Sequence, residues 1–266
     1  MDLTLLKAEI RKVWSRPIFE LAVGLVFLIS LNSVPTLVEI MPLAEFQSTF
    51  NSMIVDALSD NMGSQMLPLV LLCGILVSLS FARDYEQGLM QTLMSLPISR
   101  ASIFIVKFVA VVVPLTVLSW GVTVLVILLN FHSNVTATLM TIQLTAWALP
   151  ITLLAVTFYA GLAAMISLAV RRTIPSALTT MLTGFFVWFI TTLQTDTIGD
   201  LANYLVFTPY KAPIVALGRV LGIIYPETGL ENALPAWGFL ALIVFYALMF
   251  LVPTYLYFTQ RFEVRE

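Results

Sequence analysis

Charged residues are scarce in this sequence. Only 11% of the 266 residues are Asp, Glu, Lys or Arg, whereas 59% are hydrophobic and the mean hydropathy is +0.97. Soluble domains carry about 25% charged residues, and a soluble fold of this length cannot bury so much apolar surface. The composition therefore excludes a soluble globular protein. No basic patch suits a nucleic-acid partner, and none is expected.

Cysteine and histidine are almost absent. The one cysteine, Cys73, excludes an intrachain disulfide. The one histidine, His132, has no second histidine, cysteine or cluster of carboxylates to complete a metal site, so we expect none. Asn134 begins an Asn-Val-Thr sequon, and the sequence leaves open whether it is glycosylated.

Motifs for catalysis inside a membrane are missing too. The sequence has no His-Glu-x-x-His pattern, no Ser–His pair within an apolar segment and no pair of intramembrane Asp residues. It also lacks the G-x-x-x-x-G-K-[ST] phosphate loop, so the chain cannot hold a nucleotide by that motif. We therefore do not expect an enzyme.

Long apolar segments are abundant instead. A helix needs roughly 20 apolar residues to cross about 30 Å of hydrocarbon, since only helices and closed barrels satisfy every backbone polar group there. The alternating pattern of barrel strands is absent. We predict an all-α membrane protein, a single domain over residues 1–266 with six transmembrane helices. The predicted spans are residues 17–40, 66–82, 103–131, 142–170, 173–193 and 234–258.

The distribution of basic residues predicts the orientation. With a cytoplasmic N-terminus, eleven of the 13 Lys and Arg residues lie in or beside the inside loops, and only Lys211 and Arg219 fall outside. Cytoplasmic loops carry an excess of Lys and Arg. We therefore predict a multi-pass protein of the cell membrane with both termini in the cytoplasm.

Three segments flank the predicted spans. Residues 1–16 place apolar side chains on one helical face and basic ones, including Lys7 and Lys12, on the other. This pattern predicts a helix lying on the membrane surface, with a helix docked on a partner protein as the alternative. The 41–64 loop is expected to hold a short amphipathic helix. Residues 195–233 are interrupted by prolines, and we expect a re-entrant or surface-lying segment outside.

The segment between the second and third predicted spans carries the strongest functional signal. Residues 83–100 are predicted to form a short cytoplasmic helix, because Asp84 and Glu86 favour a helix start and Pro97 ends it. Leucines spaced four and three residues apart make an apolar stripe, which needs something to cover it on a cytoplasmic loop. The stripe consists of Leu89, Leu93 and Leu96.

Here the sequence resembles the ABC-2 family of ABC-transporter membrane subunits. In that family the second span runs into a loop of the form Glu-x-Gly-Thr, a Leu-rich stretch, Pro-hydrophobic-Ser-Arg and a downstream Lys. The chain departs from this pattern at Leu89, where the family usually has Thr, and at Met94 and Ser95 in the Leu-rich stretch. The matching residues are Glu86, Gly88, Leu93, Leu96, Pro97, Ser99, Arg100 and Lys107.

The resemblance implies the permease subunit of an ATP-driven ABC transporter, an exporter by analogy. Two such subunits, identical or different, would pair, and each would dock its 83–100 helix into a separate ABC ATP-binding subunit. ATP and Mg would be bound by that partner, so no cofactor is expected in this chain. The cargo and the direction of transport stay open. The residues implied in coupling are Asp84, Glu86, Gly88, Leu89, Leu93, Leu96, Pro97 and Arg100.

A polar face on the fifth predicted span is a candidate wall of the transport path. Hydroxyl groups in a lipid-embedded helix also bond back to their own helix or across a helix pair, and this packing role is the alternative. By the resemblance, helices 1, 2 and 5 line the cavity. The candidates are Ser176, Thr180 and Thr183 on that face, joined through the resemblance by Asn32, Ser33 and Ser78.

Two ionisable residues, Glu20 and Lys107, lie just inside predicted spans. Their position favours side chains that extend to the interface, with a Glu20–Lys107 ion pair as an alternative. The central third of every span lacks Asp, Glu, Lys and Arg, which argues against an ion-coupled secondary transporter. That class and a non-catalytic membrane scaffold are the competing functions. Small residues around Gly161 predict close helix packing.

Overall fold

A computed structural model of the chain describes residues 3–33, 46–130, 135–192, 204–222 and 234–261. Within these ranges the regular structure is helical throughout and contains no strand, which confirms the all-α prediction. Among the described residues, five helices are long and apolar enough to cross a membrane, and the two N-terminal helices taken together make a sixth candidate span. The chain is therefore a multi-pass membrane protein.

The elements follow one another in simple order. Helix α1 spans Leu3–Val13, α2 Arg16–Ser33 and α3 Phe46–Ser80, and the short helices α4 (Ala82–Glu86) and α5 (Leu89–Ser95) lead to α6 (Arg100–Asn130). Helix α7 spans Val135–Val170 and α8 Thr173–Thr192. A 3-10 turn (Leu205–Phe207), α9 (Lys211–Val220), α10 (Ala236–Leu256) and a π-helical turn (Tyr257–Arg261) complete the described part.

Helix α1 meets α2 at an angle of 70°. Such a bend suits a helix that lies along the membrane surface before the chain turns into a span. The face that α1 turns toward the bundle matches the predicted apolar face only in part. Val13, predicted on that face, is buried, but Glu9 is buried as well and Leu3 is 74% exposed. Lys12, predicted on the solvent face, reaches Asp84 of α4 instead. The prediction missed this because the carboxylate lies 72 residues away in the sequence.

Helix α3 joins two elements that the sequence separated. The 41–64 loop was expected to hold a short amphipathic helix, but residues 46–80 form one helix of 35 residues, which joins that segment to the second predicted span. The polar side chains Asn61 and Gln65, near the predicted start of the span, are both buried. They find partners on neighbouring helices, which removes the cost of burying them.

These partners form the Gln65 network. The Gln65 amide nitrogen lies 2.7 Å from Ser30 Oγ of α2 and 2.9 Å from Thr123 Oγ1 of α6, and its amide oxygen accepts a hydrogen bond from Ser119. Asn61 donates to the Ser30 carbonyl at 3.2 Å. The network therefore fastens α2 and α6 to α3.

Helix α7 packs against α3, α6, α8 and α10. It approaches α10 closely at Gly161, where an added Cβ would lie 3.1 Å from the backbone nitrogen of Leu251. An added methyl group would need the α10 backbone to move by a few tenths of an ångström, so this contact favours a glycine. The small residues around Gly161 thus serve helix packing, as their spacing predicts.

Four of the long described helices contain an internal proline, namely Pro68 in α3, Pro114 in α6, Pro150 in α7 and Pro253 in α10. A proline has no N–H, so the carbonyl four residues earlier loses its helical partner. In α6 that carbonyl belongs to Ala110, and the indole Nε1 of Trp14 donates to it at 3.0 Å. Trp14, which directly follows α1, therefore satisfies the carbonyl group that Pro114 leaves without a helical partner.

Only part of the predicted re-entrant or surface-lying segment 195–233 is described. Over residues 204–222, α9 packs on α3 and α10, and the Tyr210 hydroxyl donates to the Gly63 carbonyl at 2.8 Å. Whether the segment enters the membrane stays a prediction. His132 and Asn134 lie outside the described residues.

Candidate functional site

The α4–α5 segment, residues 82–99, connects α3 to α6 and has two distinct sides. Asp84 and Met90 are each 1% exposed, whereas Arg83, Glu86 and Leu89 are exposed. Between the two short helices Gly88 adopts a φ of +71°, a conformation that residues with a Cβ rarely reach. This turn lets both helices lie against the bundle with one side free.

The predicted leucine stripe is divided between these two sides. Leu89 and Leu96 are 44% and 43% exposed, while Leu93 is half-buried and packs against the core. Met90 occupies the bundle side of α5, and this fixes the rotation of the helix. The exposed surface of the segment therefore carries two leucines rather than three. Glu86, Pro97 and Arg100 are exposed as well.

Asp84, predicted to contact a partner, faces inward and belongs to a charge cluster formed by Glu9, Lys12, Asp84 and Lys107. Lys12 Nζ lies 2.7 Å from Asp84 Oδ1 and 3.0 Å from Glu9 Oε1. Lys107 Nζ lies 3.1 Å from Glu9 Oε1 and also bonds the Asp84 carboxylate. The side chains of Asp84 and Lys107 are each 2% exposed.

The charge cluster is balanced and fully bonded. Its two carboxylates and two ammonium groups cancel, and the third Lys107 hydrogen bond goes to the Ser80 carbonyl at 2.7 Å. Ser80 Oγ donates to Glu9 at 2.8 Å. Transferring an ion into an apolar interior costs several kcal/mol unless a partner compensates. The cluster thus holds α1, α4 and α6 together, because each of its charged groups depends on the others to compensate the cost of burial.

This geometry corrects the sequence-based interpretation of Lys107. We expected an interfacial side chain or a pair with Glu20, but Lys107 is buried and bonded to Glu9 and Asp84, while Glu20 is exposed. Glu9 was missed altogether. The depth of Lys107 was the available signal, because a lysine seven positions into an apolar helix needs a carboxylate nearby.

The other attachment of α4 is to the turn between α7 and α8. Glu86 Oε2 accepts hydrogen bonds from the Thr173 backbone nitrogen at 3.1 Å and from Thr173 Oγ1 at 2.7 Å, which satisfies a donor at the first residue of α8. Glu86, predicted as a coupling residue, therefore already has a partner within the chain.

Arg171 makes the neighbouring contact in the same turn. Its guanidinium lies 4.9 Å from the centroid of the Tyr85 ring, and Nη1 donates to the Tyr85 hydroxyl at 2.9 Å. Partial burial opposes the charged form, but hydrogen bonds to Tyr257 and Tyr85 outweigh it and raise the pKa of Arg171. Arg171 has a φ of +59°, unusual for a residue with a Cβ. The backbone is thus shaped to bring this cation onto α4.

The predicted path residues on α8 pack against neighbouring helices of the same chain. Ser176 Oγ lies 2.9 Å from Ser78 Oγ of α3 and 2.7 Å from Ser167 Oγ of α7. Thr180 is 1% exposed, and a Cβ at Gly74 of α3 would lie 3.2 Å from its Cβ. This is the packing arrangement given above as the alternative.

The other path candidates are less enclosed or not described. Thr183 is half-buried and donates to its own helix, to the Thr179 carbonyl at 2.8 Å. The side chains of Asn32 and Ser33 lie outside the described part of the chain. A role in transport stays a prediction for all six. Among the described residues, no group of three or more His, Cys, Asp or Glu is placed to hold a metal ion.

Comparison with known proteins bears on the whole of this region. A family model described as "ABC-2 family transporter protein" matches residues 5–190. The matched range includes the α4–α5 segment, the charge cluster and the turn that holds Arg171. No curated protein matches the chain.

Proposed function

The chain belongs to the ABC-2 family of transporter proteins, and we propose that it is the permease subunit of an ATP-driven exporter coupled to a separate ATP-binding subunit. Family membership makes it a membrane subunit of an ABC transporter, a class that is generally not catalytic itself. We further propose that two permease subunits, identical or different, pair in the cell membrane with their termini in the cytoplasm. ATP and Mg then belong to the partner.

The two-sided α4–α5 segment is the observation that carries this proposal. Leu89 and Leu96 present apolar surface away from the bundle, while Asp84 on the opposite side is tied into the charge cluster. A segment that only closed a loop would not need a buried four-residue ion network beneath an apolar outer side. Such an arrangement suits a segment that transmits a movement of a bound partner to the helices of the bundle.

The contacts of α4 suggest which helices that movement would reach. Through Asp84 a displacement of α4 would act on α1 and α6, and through Glu86 and Tyr85 it would act on the start of α8. Helix α8 carries half of the candidate path residues. ATP binding by the partner would thus switch the paired permeases between an inward-closed and an outward-open packing.

Adding a charge to the apolar outer side tests the docking role. We expect Leu89→Asp/Leu96→Asp to abolish co-purification of the ATP-binding subunit, because a carboxylate replaces apolar surface that the partner covers. Both positions are more than 40% exposed, so the permease itself should remain folded. The measurement is ATPase activity and subunit stoichiometry after affinity purification of the tagged permease from detergent extracts.

A matched control is Gln91→Glu, which adds one negative charge at an exposed position of the same helix without removing apolar surface. It should retain the partner. Leu93 is unsuitable, since its contact with the core would mix docking with stability. Retention of the ATP-binding subunit by the double aspartate variant at the level of the unmodified chain would reject the proposed docking surface.

The orientation has its own test. In a Cys73→Ala background, we expect a cysteine replacing Ser133 to react with a membrane-impermeant maleimide added to intact cells, and a cysteine replacing Gln91 to react only after lysis. Gln91 is exposed in α5, so a lack of reaction from outside reflects the membrane rather than burial. Labelling of the Gln91 position in intact cells would reverse the proposed topology.

A further inference from the structure

An open cavity of about 550 Å³ lies between the end of α3, α4 and the start of α8. Leu79, Ile174 and Pro175 form its apolar wall, and Ile174 is 71% exposed. Leu79 belongs to the last turn of α3 and Ile174 to the first turn of α8. The cavity therefore lies at the level where two apolar spans end and polar surface begins.

The polar lining of the cavity has an excess of positive charge. Arg83 and Arg172 are both exposed and line it, and Glu86 is the one carboxylate among its lining residues. Glu86 directs one carboxylate oxygen to Thr173, which leaves the two guanidinium groups as the charged donors available to a ligand. The net charge of these three side chains is +1, which matches a phosphodiester monoanion.

The chemistry of the two arginines indicates the kind of ligand. A guanidinium group offers paired N–H donors in a plane and binds two phosphate oxygens at once. Basic pockets between helices on the cytoplasmic side of a membrane suit anionic lipid headgroups. The apolar wall beside the arginines would contact the acyl chains of a lipid. A soluble phosphate would leave the same wall exposed to water.

We propose that this cavity binds the phosphate of an anionic phospholipid from the leaflet that faces the α4–α5 segment. Arg83 of α4 and Arg172 of the α7–α8 turn would hold the same headgroup. The bound lipid would then join α4 to the α7–α8 turn, in addition to the hydrogen bonds between Glu86 and Thr173. The inference is independent of the transport reaction, because lipid binding can be measured without ATP or a partner subunit.

The test is a titration of the purified full-length chain in detergent, followed by native mass spectrometry. The probes are dioctanoyl phosphatidylglycerol, dioctanoyl phosphatidylcholine and glycerol 3-phosphate. We expect the unmodified chain to bind the phosphatidylglycerol more tightly than the other two. Arg83→Gln/Arg172→Gln should weaken that binding roughly tenfold or more. Arg83→Lys/Arg172→Lys should fall between, since lysine keeps the charge but not the paired donors.

A charge-matched control removes two basic side chains elsewhere. Lys7→Gln/Arg11→Gln lowers the net charge equally at two exposed positions outside the cavity and should leave phosphatidylglycerol binding unchanged. Each variant is checked for a single gel-filtration peak. If the double glutamine variant fails that check, the double lysine variant decides, and it must bind more weakly than the unmodified chain.

Several results would overturn the proposal. Phosphatidylglycerol binding by the double glutamine variant as tight as by the unmodified chain would show that the two arginines do not bind the lipid. A loss of binding in the control as large as in the double glutamine variant would show that the effect is not specific to the cavity. Binding of glycerol 3-phosphate as tight as that of the lipid would assign the cavity to soluble phosphates. Loss of the ATP-binding subunit from the double glutamine variant with lipid binding retained would assign this surface to the protein partner.

Discussion

Lys107→Met is expected to destabilise the folded chain by about 3–5 kcal/mol, the typical effect of removing one partner from a buried ion pair. The substitution keeps a long side chain, so little volume is lost. It leaves Glu9 and Asp84 sharing Lys12 as their remaining cation, and Asp84 is 1% exposed. One negative charge of the cluster is then uncompensated away from water.

The measurement is the thermal unfolding midpoint in detergent, followed by fluorescence-detected gel filtration. The same change at an exposed lysine of α1, Lys7→Met, serves as the control and should leave the midpoint nearly unchanged. A Lys107→Met midpoint equal to that of the unmodified chain would mean that the buried ion pairs do not stabilise the fold.

Restoring the charge balance should recover part of the loss. In Glu9→Gln/Lys107→Met the cluster keeps one carboxylate and one ammonium group, Asp84 and Lys12, which lie 2.7 Å apart. We expect the double variant to be more stable than Lys107→Met alone, a coupling that a double-mutant cycle measures. Additive losses would show that electrostatic balance is not what joins these two sites.

Thr180→Phe is expected to remove most of the correctly folded protein. Thr180 is 1% exposed and contacts α3 at Gly74, where an added Cβ would already lie 3.2 Å from the Thr180 Cβ. Overpacking a close contact typically costs about 1–3 kcal/mol, and here the neighbour is backbone, which has little room to move. The measurement is the yield of monodisperse protein.

Thr183→Phe separates packing from transport on the same helix. Thr183 is half-buried, so we expect this variant to fold, as should the control Leu182→Phe at a position that is 58% exposed. If α8 lines the path, Thr183→Phe should reduce transport or substrate-stimulated ATPase activity while basal ATPase activity persists. Normal transport in folded Thr183→Phe would remove α8 from the proposed path, and normal yield of Thr180→Phe would contradict the packing described above.

Hydropathy was sufficient to predict the fold class and the general positions of the long helices, because apolar runs bounded by charged residues mark segments that leave water for the membrane. It failed at the N-terminal part of α3, where a separate short helix was expected in the 41–64 loop and where Asn61 and Gln65 are buried. Their cost of burial is offset by Ser30, Ser119 and Thr123 on other helices. Such compensation depends on three-dimensional neighbours, which a linear hydropathy profile does not contain.

The candidate site was predicted in outline for the same reason. The motif around Gly88 and Pro97 identified the segment between α3 and α6, but not which side of it faces the bundle. Asp84 was assigned to the side that faces the partner. Its carboxylate instead accepts a hydrogen bond from Lys107, 23 residues further along the chain, and therefore faces the bundle. Glu9, 98 residues before Lys107, carries no sequence signal that links the two.

The prolines of α3 and α6 lie at similar depth. Pro68 is 12 residues from the end of α3 at Ser80, and Pro114 is 14 residues from the start of α6 at Arg100. At 1.5 Å per residue these distances are about 18 and 21 Å from the ends that the α4–α5 segment joins. Two neighbouring helices therefore lose a backbone hydrogen bond at nearly the same level.

This level separates the two polar attachments of the helix pair. The Gln65 network lies on one side of the prolines, and the charge cluster lies on the other, toward α4. Each half of the pair is thus cross-linked within itself, and the two prolines lie between the cross-linked halves. We predict that bending of the two helices under a displacement of α4 concentrates at this level, because sharp helix kinks occur mostly at prolines.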